Sequence, residues 1–256
     1  MSISIDQAAR QALRERQGSG ARYDSPFAPA SDLALARLGT AYFARRLNEM
    51  NADDLSGTSM VPGWTRRHVV AYVGYHARFL ARIVDAARRG LHQEELVEPE
   101  AQNEDLDFGA TLPDHALRYL FKHSAIHLDV EWRDANETHW AQRVEALSGD
   151  EVAVSDTPWL RAREIWLRAM DLGAGASVYD VPIPMAWRLL QENAGDLAQG
   201  AGYSIKLRPT DHEGEIVVGA GQFEVRGRLH DLLRWASGRG AAGVIVDPTV
   251  PVPHLW

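Results

Sequence analysis

TPWLRAREIWLRAMDLG, residues 157–173, reads as one amphipathic helix whose polar residues decide what the rest of the chain is built around. Pro158 suits the first helical position, where a missing N–H has no consequence; Thr157 is the expected N-cap and Gly173 the expected stop. Leu160, Glu164, Leu167, Arg168 and Asp171 recur three or four apart and therefore share a stripe. Acids and a base are thereby set among leucines. On spacing alone Glu164 and Arg168 also fit a plainer reading, an i,i+4 ion pair on a solvated face worth about 0.3–0.5 kcal/mol.

Three further helical patterns precede this one. SDLALARLGTAYFARRLNEM (31–50) gathers Leu33, Leu35, Leu38, Tyr42, Phe43 and Leu47 near one face, with Ser31 as its expected cap. WTRRHVVAYVGYHARFLARIVDAARRG (64–90) runs from a Thr65 cap to a Gly90 stop, and His68, Tyr72 and His76 fall every four residues along it. An acidic loop at 94–107 leads into TLPDHALRYLFKHSAIHLDVEWRDAN (111–136), where Thr111 and Asp114 resemble a capping box and the helix ends near Asp134. Four helices with long connections predict a four-helix bundle with functional loops at one end.

After Ala174 the pattern changes. A helix at 184–199 is followed by YSIKLRPT (203–210), EIVVG (215–219) and FEVRG (223–227), which alternate like short antiparallel strands around a DHEG turn. LHDLLRWASGRG (229–240) reads as a glycine-closed helix, followed by a short strand and a Pro-rich tail. The fold class expected is α+β, with an amino-terminal arm at 1–30, a bundle at 31–175 and a small α+β domain at 176–256.

The 256 residues are 45% hydrophobic and 24% charged, the balance of a soluble globular protein with a substantial core. A net charge of -8 without a basic stripe argues against nucleic acid or an anionic membrane as partner. There is no cysteine, which excludes a disulfide, a thiolate metal site and a protein thiol nucleophile. Any sulfur chemistry would use borrowed sulfur. No apolar run has signal-peptide or membrane-spanning length, so the expected compartment is the cytoplasm.

The strings LARLGTAYFARRL (35–47), GWTRRHVVAYVGYHA (63–77), PEAQNEDLDFGATL (99–112), LDVEWR (128–133), TPWLRAREIWLRAMDLGA (157–174) and LLRWASGRG (232–240), in this order, resemble those of the mycothiol-dependent maleylpyruvate isomerases. The resemblance runs from about Asp32 to Trp256. It implies a DinB-like four-helix bundle followed by a small domain of sterol-carrier-like topology. It also implies a metal held by a His of the second helix and by a Glu and a His one turn apart in the fourth. Position by position, the Glu is Glu164, while the two His positions hold Tyr72 and Arg168. A guanidinium brings its own positive charge and cannot ligate a cation, so the expectation is that the family's metal is absent. A relocated site on His76 and Glu164 lacks an evident third ligand.

An activity-linked Arg of the family's carboxy-terminal domain maps to Arg239 in SGRG, where the plainer reading is a cap on a helix C-terminus. The reaction implied is isomerisation of maleylpyruvate to fumarylpyruvate, in aromatic-acid degradation through gentisate, by reversible addition of a thiol to the double bond. Charge then builds on the dicarbonyl oxygens, where cations lower the barrier. Arg168 and Arg239 are the expected contacts to substrate oxygens, with Tyr72 and Glu164 moving protons or touching the cofactor. The cofactor is mycothiol by resemblance. Ergothioneine, a thione needing less activation, is the alternative suited to a lost metal, and glutathione a weaker one. Trp64, Tyr72, Tyr75, Trp159 and Trp166 are candidates for an aromatic cage around a quaternary ammonium, with His68 and His76 beside the cofactor; each aromatic also reads as ordinary core. The expected partners are a small dicarboxylate and a small thiol, on a monomer or homodimer. A thiol S-transferase acting on another electrophile and a non-catalytic ligand-binding protein stay open.

Overall fold

A computed structural model describes residues 23–90, 101–145, 151–200 and 204–250, with residues 8, 9, 12 and 253 besides. The chain divides into two compact units, Met1–Ala174 and Gly175–Trp256. Among the described residues no helix is long and apolar enough to cross a membrane.

The first unit is built on four long helices, α1 (Ala30–Asn48), α3 (Arg66–Arg89), α5 (Asp114–Asp134) and α7 (Thr157–Asp171). Helix α3 packs along α5 and α1 along α7, and α3 also meets α7. Leu33, Phe43 and Leu47 of α1, Val69, Val73 and Leu80 of α3, Leu117 and Leu128 of α5, and Ile165 and Leu167 of α7 form the buried seam. Their three-and-four spacing is the pattern that marks each helix in the sequence. Short helices α2 (Ala52–Ser56), α4 (Ala101–Thr111) and α6 (Glu137–Trp140) and a hairpin of β1 (Arg143–Glu145) with β2 (Glu151–Ala153) fill the connections.

Two glycines set the spacing of the bundle. A Cβ on Gly39 would lie 2.7 Å from both Ile165 and Trp166, and one on Gly74 2.8 Å from Leu120. Gly39→Val is therefore expected to push α1 off α7 and to destabilise the protein by about 1–3 kcal/mol, read in urea unfolding. An unchanged midpoint would show that this approach is slack.

Several helix boundaries differ from expectation. Helix α1 begins at Ala30, behind Pro29, so Ser31 lies inside it. Thr111 ends α4 and bonds back to the Phe108 carbonyl instead of capping α5, whose N-cap is Pro113. Asp114 instead pairs with Arg67. Thr157 is the first residue of α7; its hydroxyl donates to the Val154 carbonyl (2.7 Å) and accepts from Trp132 Nε1 (3.0 Å), tying the start of α7 to α5. The acidic stretch expected as a loop is helical from Ala101, and Gly109 brings that helix against Ala71 and Tyr75 of α3. Residues 91–100 lie outside the described residues, as do most of 1–22 of the expected arm. From Tyr23 on the arm is fastened: Arg37 grips Asp24 at 2.6 Å and Asp129 at 2.8 Å.

The second unit holds α8 (Ile183–Gly200), α9 (Leu229–Ala236) and a four-stranded sheet of β3 (Ile205–Pro209), β4 (Ile216–Val218), β5 (Phe223–Gly227) and β6 (Val244–Val246). Its order is β4-β3-β5-β6. The expected antiparallel pairing holds for β3 with β4, but β5 runs parallel to β3. Alternation fixes which side chains face the core and says nothing of strand direction, which the crossing from β4 over to the far side of β3 decides. Leu229, Leu232, Leu233 and Trp235 of α9 and Ile205, Leu207 and Val225 of the sheet are buried.

Candidate active site

Helix α7 is buried nearly all round: Glu164, Arg168 and Asp171 are within the core, at 5%, 7% and 0% exposure. The solvated-face reading of the pair is thereby excluded. Glu164 Oε2 accepts a hydrogen bond from the Tyr72 hydroxyl (3.1 Å) and lies 3.4 Å from Arg168 Nε, which is not aligned to donate. Arg168 spends Nη1 on Asp171, 3.0 Å away. Its guanidinium rests over the Tyr72 ring (4.6 Å) and beside the Trp64 ring (5.7 Å). Tyr72, Glu164, Arg168 and Trp64 are thus one cluster, held where α3 crosses α7.

The cluster continues along both helices. Tyr72 and His76 are stacked at 6.1 Å, and His76 Nδ1 lies 3.4 Å from Nη1 of Arg161, which also donates to the Val73 carbonyl at 2.8 Å. Increasing numbers on α3 meet decreasing numbers on α7, so the helices run antiparallel and Arg161 sits ~10 Å further along the bundle than Arg168. At the Arg168 end, Met60 N–H donates to the Asp171 carbonyl and Arg66 Nε to the Leu172 carbonyl, fixing the 57–65 loop to the end of α7.

Burial and charge set the protonation states. Burial pushes the Tyr72 hydroxyl up to about 12, with the Glu164 charge acting the same way, so it remains a donor at neutral pH. Burial opposes ionisation of Glu164, but the Arg168 and Arg163 charges and the Tyr72 hydrogen bond together hold it below its ordinary value. Burial lowers Arg161 to about 10, which leaves it a cation. His76 falls to about 3, mainly from burial, with Arg161, Arg163 and Arg168 opposing its charge and Glu164 favouring it.

A neutral buried His that would be charged when unfolded makes stability pH-dependent. Its folded value lies below its unfolded one, so its contribution is complete above about pH 6.5 and is lost as pH falls toward 3. The expected slope is about 1.4 kcal/mol per pH unit for this one proton between pH 6 and 5. His76→Phe should flatten the pH dependence of the unfolding midpoint there; an unaltered slope would show that His76 is not the group responsible.

The other sequence candidates are distributed differently. His68 Nδ1 bonds Thr65 at both amide (3.2 Å) and hydroxyl (2.7 Å), making it part of the cap of α3, while its ring still lies beside Trp64 at 6.3 Å. Tyr75 turns to Gly109 on α4 and to Arg78. Trp166 stacks on Tyr42 at 4.9 Å and donates to the Leu35 carbonyl, and Trp159, two turns before it on the same face, is also buried. The five aromatics therefore do not form one cage, and the two beside the site, Trp64 and Tyr72, already hold the Arg168 guanidinium. In the second unit Arg239 is buried and donates from Nη1 to the Ser237 carbonyl (3.0 Å), closing the end of α9. Arg161 escaped notice in the sequence, although its place three residues before Glu164 puts it on the same helix face.

No three His, Asp or Glu side chains converge among the described residues. One carboxylate, a hydrogen-bonded phenol and a guanidinium are a poor donor set for a divalent cation, which requires lone pairs on every side. These residues do not fit the three-ligand metal site that the resemblance implies.

The sequence pattern of the mycothiol maleylpyruvate isomerase N-terminal domain matches residues 36–173. Two solved structures, the mycothiol-dependent maleylpyruvate isomerase and a His-to-Ala variant of it, are each 37% identical and superpose with a TM-score of 0.83, over 89% of this chain and 96% of theirs. The chain belongs to the mycothiol-dependent maleylpyruvate isomerase family. No curated protein matches it closely enough to count as a relative. With the family fixed, the fold class is α+β, a DinB-like bundle followed by a carboxy-terminal domain. The overlap reaches beyond the matched domain, so both units share the family's structure.

Proposed function

We propose that this protein is a cytoplasmic cis–trans isomerase that converts maleylpyruvate to fumarylpyruvate with a low-molecular-weight thiol and without the family's metal. The observation that carries the reading is the likeness over 89% of the chain to an enzyme of that activity. The metal-free part rests on Arg168 and Tyr72 closing around Glu164.

When bound, the thiol supplies the sulfur nucleophile whose reversible addition makes the double bond single and free to rotate. The ionised Glu164 is the group suited to take its proton, and Tyr72, remaining protonated, is suited to steady the carboxylate and return a proton. Arg168 supplies a fixed positive charge toward the dicarbonyl oxygens as they become negative. Asp171 and the two rings hold that charge in place. Arg239 is proposed as a further contact to the substrate, on the strength of the motif alone.

The test is turnover of maleylpyruvate by EDTA-treated protein with mycothiol, ergothioneine or glutathione in turn. Isomerisation is expected with one of them, undiminished by EDTA. Inactivity with all three overturns the reading, and a stable thiol conjugate would identify an S-transferase instead. Trp64 and Tyr72 are engaged with Arg168, so mycothiol is favoured over the ammonium-bearing ergothioneine.

A further inference from the structure

Arg161 and His76 are the residues of the cluster that the proposed reaction leaves without a task, and of the two Arg161 carries the charge. It is 1% exposed. Nη1 is committed to the Val73 carbonyl and approaches His76, while Nη2 is buried and has no hydrogen-bond partner among the described residues. Nor does any described carboxylate come within ion-pair distance of it, whereas Arg168 on the same helix has both Glu164 and Asp171. Burying a guanidinium in this way is strongly unfavourable unless something else is gained. Its neighbours are the Val73 carbonyl and His76, with the Glu164 charge favouring the cation from beyond ion-pair distance; a Met would fill a similar volume without the charge.

We propose that Arg161 binds a ligand carboxylate through its Nη2 edge, forming a second anion subsite beyond Glu164. The proposal rests on the isomerase reading only for which carboxylates are at hand. A dicarboxylate long enough to span the site would reach Arg168 with one end and Arg161 with the other, and the ~10 Å between the two positions along α7 is the scale of such a molecule with its hydrogen-bond distances added. The planar fork of Arg gives bidentate hold on a carboxylate that Lys would lack. Two sources share this chemistry, the substrate and a carboxylate-bearing thiol such as ergothioneine or glutathione. Mycothiol carries no carboxylate and serves as the control.

Calorimetric titration of the full chain, with each ligand alone so that no turnover occurs, separates them. Wild-type protein is expected to bind maleylpyruvate, and Arg161→Met to weaken that binding about tenfold or more, with mycothiol binding unchanged. If ergothioneine or glutathione shows the loss instead, the carboxylate is the cofactor's. Without ligand, Arg161→Met is expected to melt no lower than wild type, because an unpaired buried charge has been removed. Should that variant fail to fold, Arg161→Gln, which can still donate to Val73, carries the same comparison. Equal affinity of variant and wild type for every carboxylate ligand, or no binding of any of them by wild type, overturns the proposal. Binding that depends on Arg161 in a protein that turns nothing over would leave the subsite standing and remove the isomerase reading alone.

Discussion

Arg168→Met is expected to lower kcat/KM for maleylpyruvate by about 10²–10³, the usual effect of removing one fixed donor from a site where negative charge develops. The guanidinium lies 3.4 Å from Glu164, 3.0 Å from Asp171 and 4.6 Å from the centre of the Tyr72 ring, so its position is set on three sides. The same contacts make the substitution structurally disruptive. Asp171, fully buried, loses its ion pair with Arg168, and breaking such a pair costs about 3–5 kcal/mol. Arg168→Lys separates the two effects. It keeps the charge and the folded state but not the fork or the stacking on Trp64 and Tyr72, and activity should still fall about tenfold or more. Near-wild-type turnover by a folded Arg168→Met would remove Arg168 from the chemistry.

The second large effect concerns the metal. Tyr72→His combined with Arg168→His is expected to take the protein from no bound zinc to about one zinc per chain. It would place two imidazoles beside Glu164, the His and Glu on α7 being i and i+4 on one face and the third ligand coming from α3 where Tyr72 now meets Glu164. Metal analysis after dialysis is the readout, supported by a rise in melting temperature with zinc, since a ligand at a hundredfold over its dissociation constant stabilises by about 2.7 kcal/mol. Arg168→His alone should bind zinc weakly, having two ligands. Stoichiometric zinc in the unaltered protein, held at Glu164, would overturn the account of Arg168 as the charge that stands where a metal would.

Much of the fold was legible because hydrophobic spacing is a direct imprint of burial. The seam residues of α1, α3, α5 and α7 follow from a period near 3.6, and Gly90 and Gly173, both with positive φ, end their helices as glycine does. What periodicity does not encode was missed: the helix at Ala101–Thr111, whose docking depends on Gly109 meeting Tyr75, and the parallel pairing of β3 with β5. Caps at Ser31 and Thr111 failed because local hydrogen-bonding potential competes with prolines, Pro29 and Pro113, that set the helix starts.

For the site, the sequence by itself determined which residues are present: Glu164 with Arg168 one turn on, Tyr72 on another helix, and no cysteine anywhere. Those identities already exclude a thiol from the protein's own side chains. Whether Glu164 and Arg168 form a surface pair or a buried charge cluster was decided only by the tertiary structure. One helix shows the same i,i+4 spacing in either case, and it is the packing of α3 and α1 on both sides of α7 that removes the water and raises the worth of each charge. The same packing leaves Arg161 Nη2 buried with no hydrogen-bond partner among the described residues, a property that no spacing rule contains because it depends on what the neighbouring helix supplies.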